Sequence, residues 1–477
     1  MEQALPLPNQ APELAVVRAR AASPPTAIAA WTRLLAGGPI RVMLLTWLAF
    51  LLVLWLGPLR LVAEVDAQAW WLVIACTVAF CVGSLLASAA PAPAAAPHAV
   101  LDNVEPERLQ RVVLVFAVLG LAGGLAVLFD KMVLSGIDFS LGFTVTRVLR
   151  DSANSGTTTY SSSPLFFLGL LVNSLSIVAA GICILRPERL PLRLLGLSGL
   201  SLLGPFLVTL VYGARTGVVL IGGYVLSCVI ARNLCVGYRG KYLRVAALVA
   251  LLAVIGVVAF NNFVLADRRA ALGAFDDLAD VGYTEAEGRV FEAKPWLADL
   301  YADNPDLRQT VLDLATTEAY SFRGMVGLQR MVYGEYGAFG PYYGLYSVGG
   351  LGLLLDRVTG GFALYRDMND ELIDAGISAL YFTIWGCLHS DFGLVGTLVV
   401  AVVWGAGSQL IWRRVMAAGH VRDQLVFAMA FLAVVMTPLA PPVGYLNVNL
   451  LLLCLGAAWF ALRPRATLPE ASAGAAA

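Results

Sequence analysis

Three stretches of the sequence combine residue types that can hold a charged or sugar-like ligand. The first is Arg215, in Val211-Tyr-Gly-Ala-Arg-Thr-Gly217, between two apolar runs joined by almost no loop. An arginine costs about 2.5–3.5 kcal/mol at the bilayer centre on insertion scales and less near the surface, where it snorkels. Arg215 therefore reads either as an interfacial anchor or as a cation held for an anionic group such as a lipid-linked phosphate, whose oxygens a guanidinium can grip in a fork. The second stretch runs from Tyr320-Ser-Phe-Arg-Gly324 through Arg330, Tyr333, Glu335, Tyr336, Phe339, Tyr342, Tyr343 and Tyr346. Rings interleaved with Gly, Arg and Glu suit sugars, which stack a face on an aromatic while polar groups take the hydroxyls. An aromatic belt at a membrane interface has the same composition. Arg323 and Arg330 are the candidate diphosphate contacts there. The third is Tyr381-Phe-Thr-Ile-Trp-Gly-Cys-Leu-His-Ser-Asp-Phe-Gly-Leu-Val-Gly396, which leads into an apolar run. His389 is one of three histidines, and imidazole accepts or returns a proton near neutral pH. Asp391 could orient it, bind a substrate hydroxyl, or simply cap a helix.

The elements that must position these residues are membrane helices. Hydrophobic residues make up 59% of the chain and charged ones 13%, with a mean hydropathy of +0.77, which excludes an ordinary soluble domain. A hydrocarbon core of about 30 Å needs roughly 20 apolar helical residues, because lipid offers the backbone no partners. Ten stretches come close: 42–59, 70–89, 112–129, 165–185, 194–212, 218–231, 245–265, 394–412, 425–439 and 446–462. Two shorter apolar segments, 342–355 and 377–388, read as re-entrant or interfacial pieces, or as a pair of extra spans raising the number to twelve. The expected fold is thus an all-α polytopic bundle with one large extracytoplasmic loop.

Basic residues in short loops set the orientation. With the N-terminus inside, 18 of the 32 Lys and Arg fall on the cytoplasmic side with 8 of the 32 Asp and Glu, leaving 14 basic and 24 acidic residues outside. The expected layout is a cytoplasmic tail over 1–41, seven helices over 42–266, a large acidic and aromatic outer segment over 267–390, the C-terminal helices over 391–465, and a cytoplasmic tail over 466–477. The first apolar run lacks a convincing cleavage site and reads as a retained signal anchor.

Several chemistries have no signature here. The seven cysteines form no Cys-x-x-Cys pair, and His389 and Asp391 have no third ligand at metal spacing. No Walker loop, His-Glu-x-x-His or Gly-x-Ser-x-Gly occurs. A formal net charge of zero predicts no nucleic-acid partner. A transporter should carry charges at mid-membrane and keep its loops short, whereas these spans are nearly charge-free.

At Tyr381-Phe-Thr, His389-Ser-Asp-Phe-Gly-Leu-Val-Gly396, Val403-Trp-Gly-Ala-Gly407 and Gly213-Ala-Arg-Thr-Gly217 the sequence resembles the bacterial oligosaccharide repeat-unit polymerases, the Wzy-type O-antigen and exopolysaccharide polymerases. The acidic pair Glu64 and Asp66 is similar to loop carboxylates of polyprenyl-phosphate-sugar transferases. The polymerase resemblance covers the layout of most of the chain, and it implies a membrane-embedded, GT-C-like glycosyltransferase in the bacterial cytoplasmic membrane. Such an enzyme moves a growing glycan from an undecaprenyl-diphosphate carrier onto a lipid-linked repeat unit at the outer leaflet, without metal or cofactor. A chain-length regulator and a flippase are the partners it implies. On that reading Arg215, Arg323, His389 and Asp391 are the candidate catalytic residues, and Arg330, Tyr333, Glu335, Tyr336, Tyr342 and Tyr343 the candidate substrate contacts. An O-antigen-ligase-like transferase, a lipid-linked oligosaccharide flippase and a membrane scaffold are the competing expectations.

Overall fold

The structure is a computed structural model, and the residues it describes are 38–62, 65–90, 104–136, 145, 163–211, 215–235, 241–272, 281, 283–284, 288–333, 341–359, 362–374, 383–440 and 444–463. They form an all-α polytopic membrane protein. Among the described residues, eight helical stretches are long and apolar enough to cross a bilayer: Pro39–Leu56, Ala67–Ala89, Pro106–Leu134, Pro164–Leu185, Leu192–Thr209, Gly217–Cys235, Arg244–Asp267 and Ile384–Ala417. They coincide with the first eight expected spans. The last two expected spans are helices of 15 and 16 residues, short for a 30 Å core.

In chain order the elements are α1 (Pro39–Leu56), β1 (Leu59–Leu61), α2 (Ala67–Ala89) and α3 (Pro106–Phe129), the last ending in a π turn over Asp130–Leu134. Then come α4 (Pro164–Asn173), α5 (Leu175–Leu185), α6 (Leu192–Ser201), α7 (Leu203–Val211), α8 (Arg215–Cys235) and α9 (Lys241–Leu272). A more polar region follows with β2 (Tyr283–Thr284), β3 (Gly288–Arg289), β4 (Phe291–Ala293), α10 (Pro295–Asp303), α11 (Arg308–Tyr333), α12 (Gly349–Thr359) and α13 (Ala363–Asp374). The chain returns through α14 (Ile384–Ala418), α15 (Val421–Val435) and α16 (Leu446–Ala461). The bundle end that carries β1–β4 and α10–α13 is here called the upper end. Of the acidic residues expected to open this region, Asp276, Asp277, Asp280, Glu285 and Glu287 lie outside the described residues.

Proline opens α1, α3, α4 and α10, where its missing N–H is no loss. Two spans are interrupted. The break between α6 and α7 at Leu202 precedes Pro205, whose ring clashes with the carbonyl four residues back. The break between α4 and α5 at Ser174 faces α3, whose glycines let the irregular backbone approach. A Cβ on Gly123 would lie 2.6 Å from the Gly169 carbonyl oxygen, and one on Gly120 2.1 Å from Ser176 Oγ. Helices α2 and α14 meet even more closely. A Cβ on Gly83 would sit 1.9 Å from the Val402 carbonyl oxygen and one on Gly405 2.0 Å from that of Phe80, while Ser84 Oγ donates to the Gly405 carbonyl at 3.0 Å. By contrast α9 is peripheral, with 17% of its apolar window buried.

Helix α14 is not straight. Gly393, at φ 65° and ψ −176°, breaks it, and the rings of Trp385 and Trp404 lie 5.6 Å apart. Nineteen residues of straight helix would hold those positions about 28 Å apart. The chain therefore doubles back at Gly393, and a short arm, 384–392, runs antiparallel to the long arm, 394–418. The short arm starts deep in the bundle. Trp404 packs on Phe80 of α2 at 5.5 Å, the Ile384 N–H donates to the Thr437 carbonyl at 3.1 Å, and Thr437 Oγ1 reaches Met43 Sδ, in the second turn of α1, at 3.8 Å.

At the upper end β1 pairs antiparallel with β4, Leu59 opposite Ala293, and Arg60 forms an ion pair with Glu292. Helix α11 lies across three spans, with Phe322 on Phe50 of α1 at 4.6 Å, Thr317 Oγ1 accepting from Asn261 of α9 at 3.0 Å, and Gln329 holding Asp66 through two 2.9 Å hydrogen bonds. At the opposite end Arg186 is buried, donating to Gln424 Oε1 at 2.8 Å and to the Gly419 carbonyl. Nearby, Arg232 pairs with Glu188 at 2.9 Å.

Candidate functional site

The short arm of α14 organises the site. Thr383 caps it, its Oγ1 accepting the Gly386 N–H at 3.2 Å. The capping role considered for Asp391 therefore belongs to Thr383, and Asp391 lies eight positions further on, within the arm. Trp385, Cys387, Leu388, Ser390 and Asp391 are buried, whereas His389 is half-buried, and its Nδ1 is a buried atom without a hydrogen-bond partner.

A turn over residues 341–348 sits on the end of this arm. The Tyr342 N–H donates to the Ser390 carbonyl at 3.2 Å and the Tyr343 N–H to the Asp391 carbonyl at 3.0 Å. The two oxygens of the Asp391 carboxylate accept the Tyr346 and Ser347 N–H groups, at 2.9 and 2.7 Å. Below the turn, Tyr342 and Tyr346 pack with Met368 of α13 and Cys387 of the arm, and the Tyr342 hydroxyl bonds to Glu371. Burial pushes the Tyr346 phenol well above its ordinary range, with Cys387 and Asp391 adding to the shift, so the ring serves as a neutral packing group. Helix α13 is thus fastened over the arm, and Asp356 closes the α12–α13 connection by accepting from the Phe362 N–H at 2.8 Å and from Arg366 at 2.7 Å.

Three of the expected site residues, Asp391, Tyr342 and Tyr343, therefore meet where the turn bonds to the arm, with His389 two residues before Asp391, although about 45 residues separate the two segments. The start of α16 connects this place to Arg215. Gly350 of α12 approaches the Leu446 amide so closely that a Cβ would lie 2.4 Å from it. One residue on, Asn447 lines a narrow cavity with Asn173, Thr209 and Gly217. Gly217 is two residues into α8 from Arg215, which heads that helix. The side chain of Arg215 lies outside the described residues, as do those of Arg323 and Arg330 on α11 and of Tyr333 at its end; Glu335 and Tyr336 lie outside them altogether. Of the acidic pair in the first connection, Asp66 is held by Gln329 and Glu64 is outside the described residues.

Two participants, and one buried acid at the contact of α11 with α1, carried no signal that sequence reasoning picked up. Glu371 and Met368 belong to an ordinary amphipathic helix, and only tertiary contact brings them over the arm. Glu318 is the buried acid. It is 6% exposed, its Oε2 accepts the Leu59 N–H at 3.2 Å, its Oε1 has no partner, and it presses on Gly57 at the end of α1. Desolvation raises its pKa to about 7, against the smaller opposing effects of the Leu59 N–H and Lys294. A second buried acid, Asp130 in the π turn, pairs with Lys131 at 3.4 Å and accepts from Ser163. Among the described residues no three His, Cys, Asp or Glu side chains gather as ligands for a metal.

The fold and this arrangement define an all-α, multi-spanning membrane protein with a compact polar site at one end of the bundle. Compared with family models, with curated proteins and with solved structures, the chain has no match.

Proposed function

We propose that the protein is a membrane glycosyltransferase of the GT-C-like type, a repeat-unit polymerase that extends a glycan carried on undecaprenyl diphosphate in the bacterial cytoplasmic membrane. The observation that supports this reading is the doubling back of α14, which sets a half-buried histidine, its buried Nδ1 without a partner, on the arm that ends at a clamped aromatic turn. The charge asymmetry of the loops supports reading that end as the outside. An acceptor hydroxyl there forms the new glycosidic bond to the anomeric carbon as its bond to the carrier diphosphate breaks. The hydroxyl proton passes to His389, and the diphosphate leaves with the bonding electrons. Arg215, at the head of α8, and Arg323, on α11, are assigned to the departing diphosphate, where cations stabilise developing charge more than they stabilise the bound ground state.

Deleting the gene and displaying the surface glycan by length tests the reading. Single repeat units in place of long chains are the expected result, restored by the wild-type gene but not by Arg215→Ala or Arg323→Ala at equal expression. Unaltered chain length in the deletion refutes polymerisation. Free lipid-linked polymer that no longer reaches its final acceptor would assign the protein to ligation instead.

A further inference from the structure

Asp391 is 0% exposed, and each of its carboxylate oxygens is taken by a backbone N–H of the turn above it. Its own carbonyl receives a third N–H, from Tyr343. Such a carboxylate is poorly placed to shuttle protons and well placed to fix a backbone. What it fixes is unusual. Tyr343 is the one non-glycine residue among those described with a positive φ, 53°, and it is followed by Gly344 at φ 94°. An aromatic residue in the left-handed region costs free energy and persists only where its surroundings over-determine it. Here the clamp does so, and the side chain it presents is 78% exposed rather than packed into the core. Phe392, at the tip where α14 doubles back, lies against Gly344 of the same turn and is partly exposed, and Val395 at that tip is exposed. The molecule thus holds a strained backbone in order to display a ring at the end of the arm that carries His389.

We propose that Tyr343 is a stacking platform for the acceptor sugar that sets acceptor specificity, and that Asp391 is a positioning residue that holds this platform and takes no part in proton transfer. This rests on the polymerase reading. A sugar's C–H face and a phenol ring match in size and polarity, and polar groups that could take hydroxyls belong to the same turn and arm or bond to them, Glu371 on the Tyr342 hydroxyl and His389 two residues before Asp391.

The test uses full-length protein in nanodiscs with its own lipid-linked repeat unit. Tyr343→Ala is expected to raise the acceptor KM about tenfold with kcat nearly unchanged, and Tyr343→Phe and Tyr343→Trp to keep the wild-type KM. Asp391→Asn is expected to raise KM in the same way while leaving the pH profile of kcat in place. A collapse of kcat with a lost pH limb in Asp391→Asn would make Asp391 an acid or base and overturn the positioning role. A wild-type KM in Tyr343→Ala would overturn the platform. An independent readout is the fluorine resonance of 3-fluorotyrosine at position 343. It should move on adding the free repeat-unit oligosaccharide, and in Asp391→Ala it should collapse to the shift of a mobile tyrosine. An unmoved resonance in Asp391→Ala refutes the clamp. A wild-type protein that elongates nothing refutes the polymerase reading and the platform with it, while the resonance in Asp391→Ala still decides the clamp.

Discussion

Replacing Gly393 with alanine is the sharpest perturbation of the site, because its cost can be isolated. A Cβ on Gly393 would meet nothing within 4 Å, so no clash contributes. The whole penalty is conformational: φ 65° with ψ −176° lies in a region that only glycine visits freely, and holding a side chain there costs about 1–3 kcal/mol. At about 1.4 kcal/mol per tenfold, that is roughly a 5- to 150-fold loss in the population of the doubled-back state. The turn over 341–348 is bonded to the short arm through the Tyr342, Tyr343, Tyr346 and Ser347 amides, so these should lose hydrogen-exchange protection by the same factor. Gly407 provides the control, since a Cβ there also meets nothing within 4 Å and its helical backbone suits alanine. Gly407→Ala should leave those amides untouched, and glycine in a helix interior is worth about 1 kcal/mol less than alanine, so the protein should gain slightly in stability. Equal protection in Gly393→Ala and Gly407→Ala would show that the reversal of α14 does not depend on Gly393.

Two further outcomes follow from buried contacts. Glu318, with its pKa raised from 4.5 to about 7, holds its proton in the folded state over a range where the unfolded chain has released it. Its contribution to the docking of α11 on α1 is full below pH 4.5 and is lost as pH rises through about 7, a swing on the order of 3 kcal/mol. Melting of the purified protein between pH 5 and 8 should show that loss, Glu318→Gln should flatten it, and an unchanged slope in the variant would clear Glu318 of the effect. Gly83→Val forces a side chain into the Val402 carbonyl of α14, so the yield of folded protein in detergent should collapse, whereas Gly256→Val on α9, where a Cβ meets nothing within 4 Å, should fold as wild type.

The spans were legible because hydrocarbon imposes a single requirement, an unbroken apolar helix of sufficient length, and composition reports it directly. What composition does not report is direction. The run after Asp391 reads as one apolar span beginning near Leu394, and a glycine inside such a run usually signals close packing, as Gly83 and Gly405 do. That Gly393 instead reverses the chain depends on φ and ψ, which tertiary contacts select. His389 and Asp391 were legible as a polar pair at a helix entrance, yet their difference was not. One has a buried ring nitrogen without a partner, and the other has both carboxylate oxygens engaged by a turn more than 40 residues away in sequence. The tyrosines were likewise visible as a cluster, but only the fold separates buried Tyr342 and Tyr346 from exposed Tyr343.

The interlock of α2 with α14 has a consequence for biogenesis. Ser84 and Gly405 are 321 residues apart, so α2 emerges from the ribosome long before its main partner exists. At about 5–20 residues per second, the wait is on the order of 15–60 s. Throughout that interval the small-residue face around Gly83 and Ser84 stands open in the lipid, a face on which other helices could dock wrongly. A nascent chain stopped before α14 should therefore be a substrate for membrane chaperones and quality-control proteases, and its release from them should be timed by the synthesis of residues 394–418.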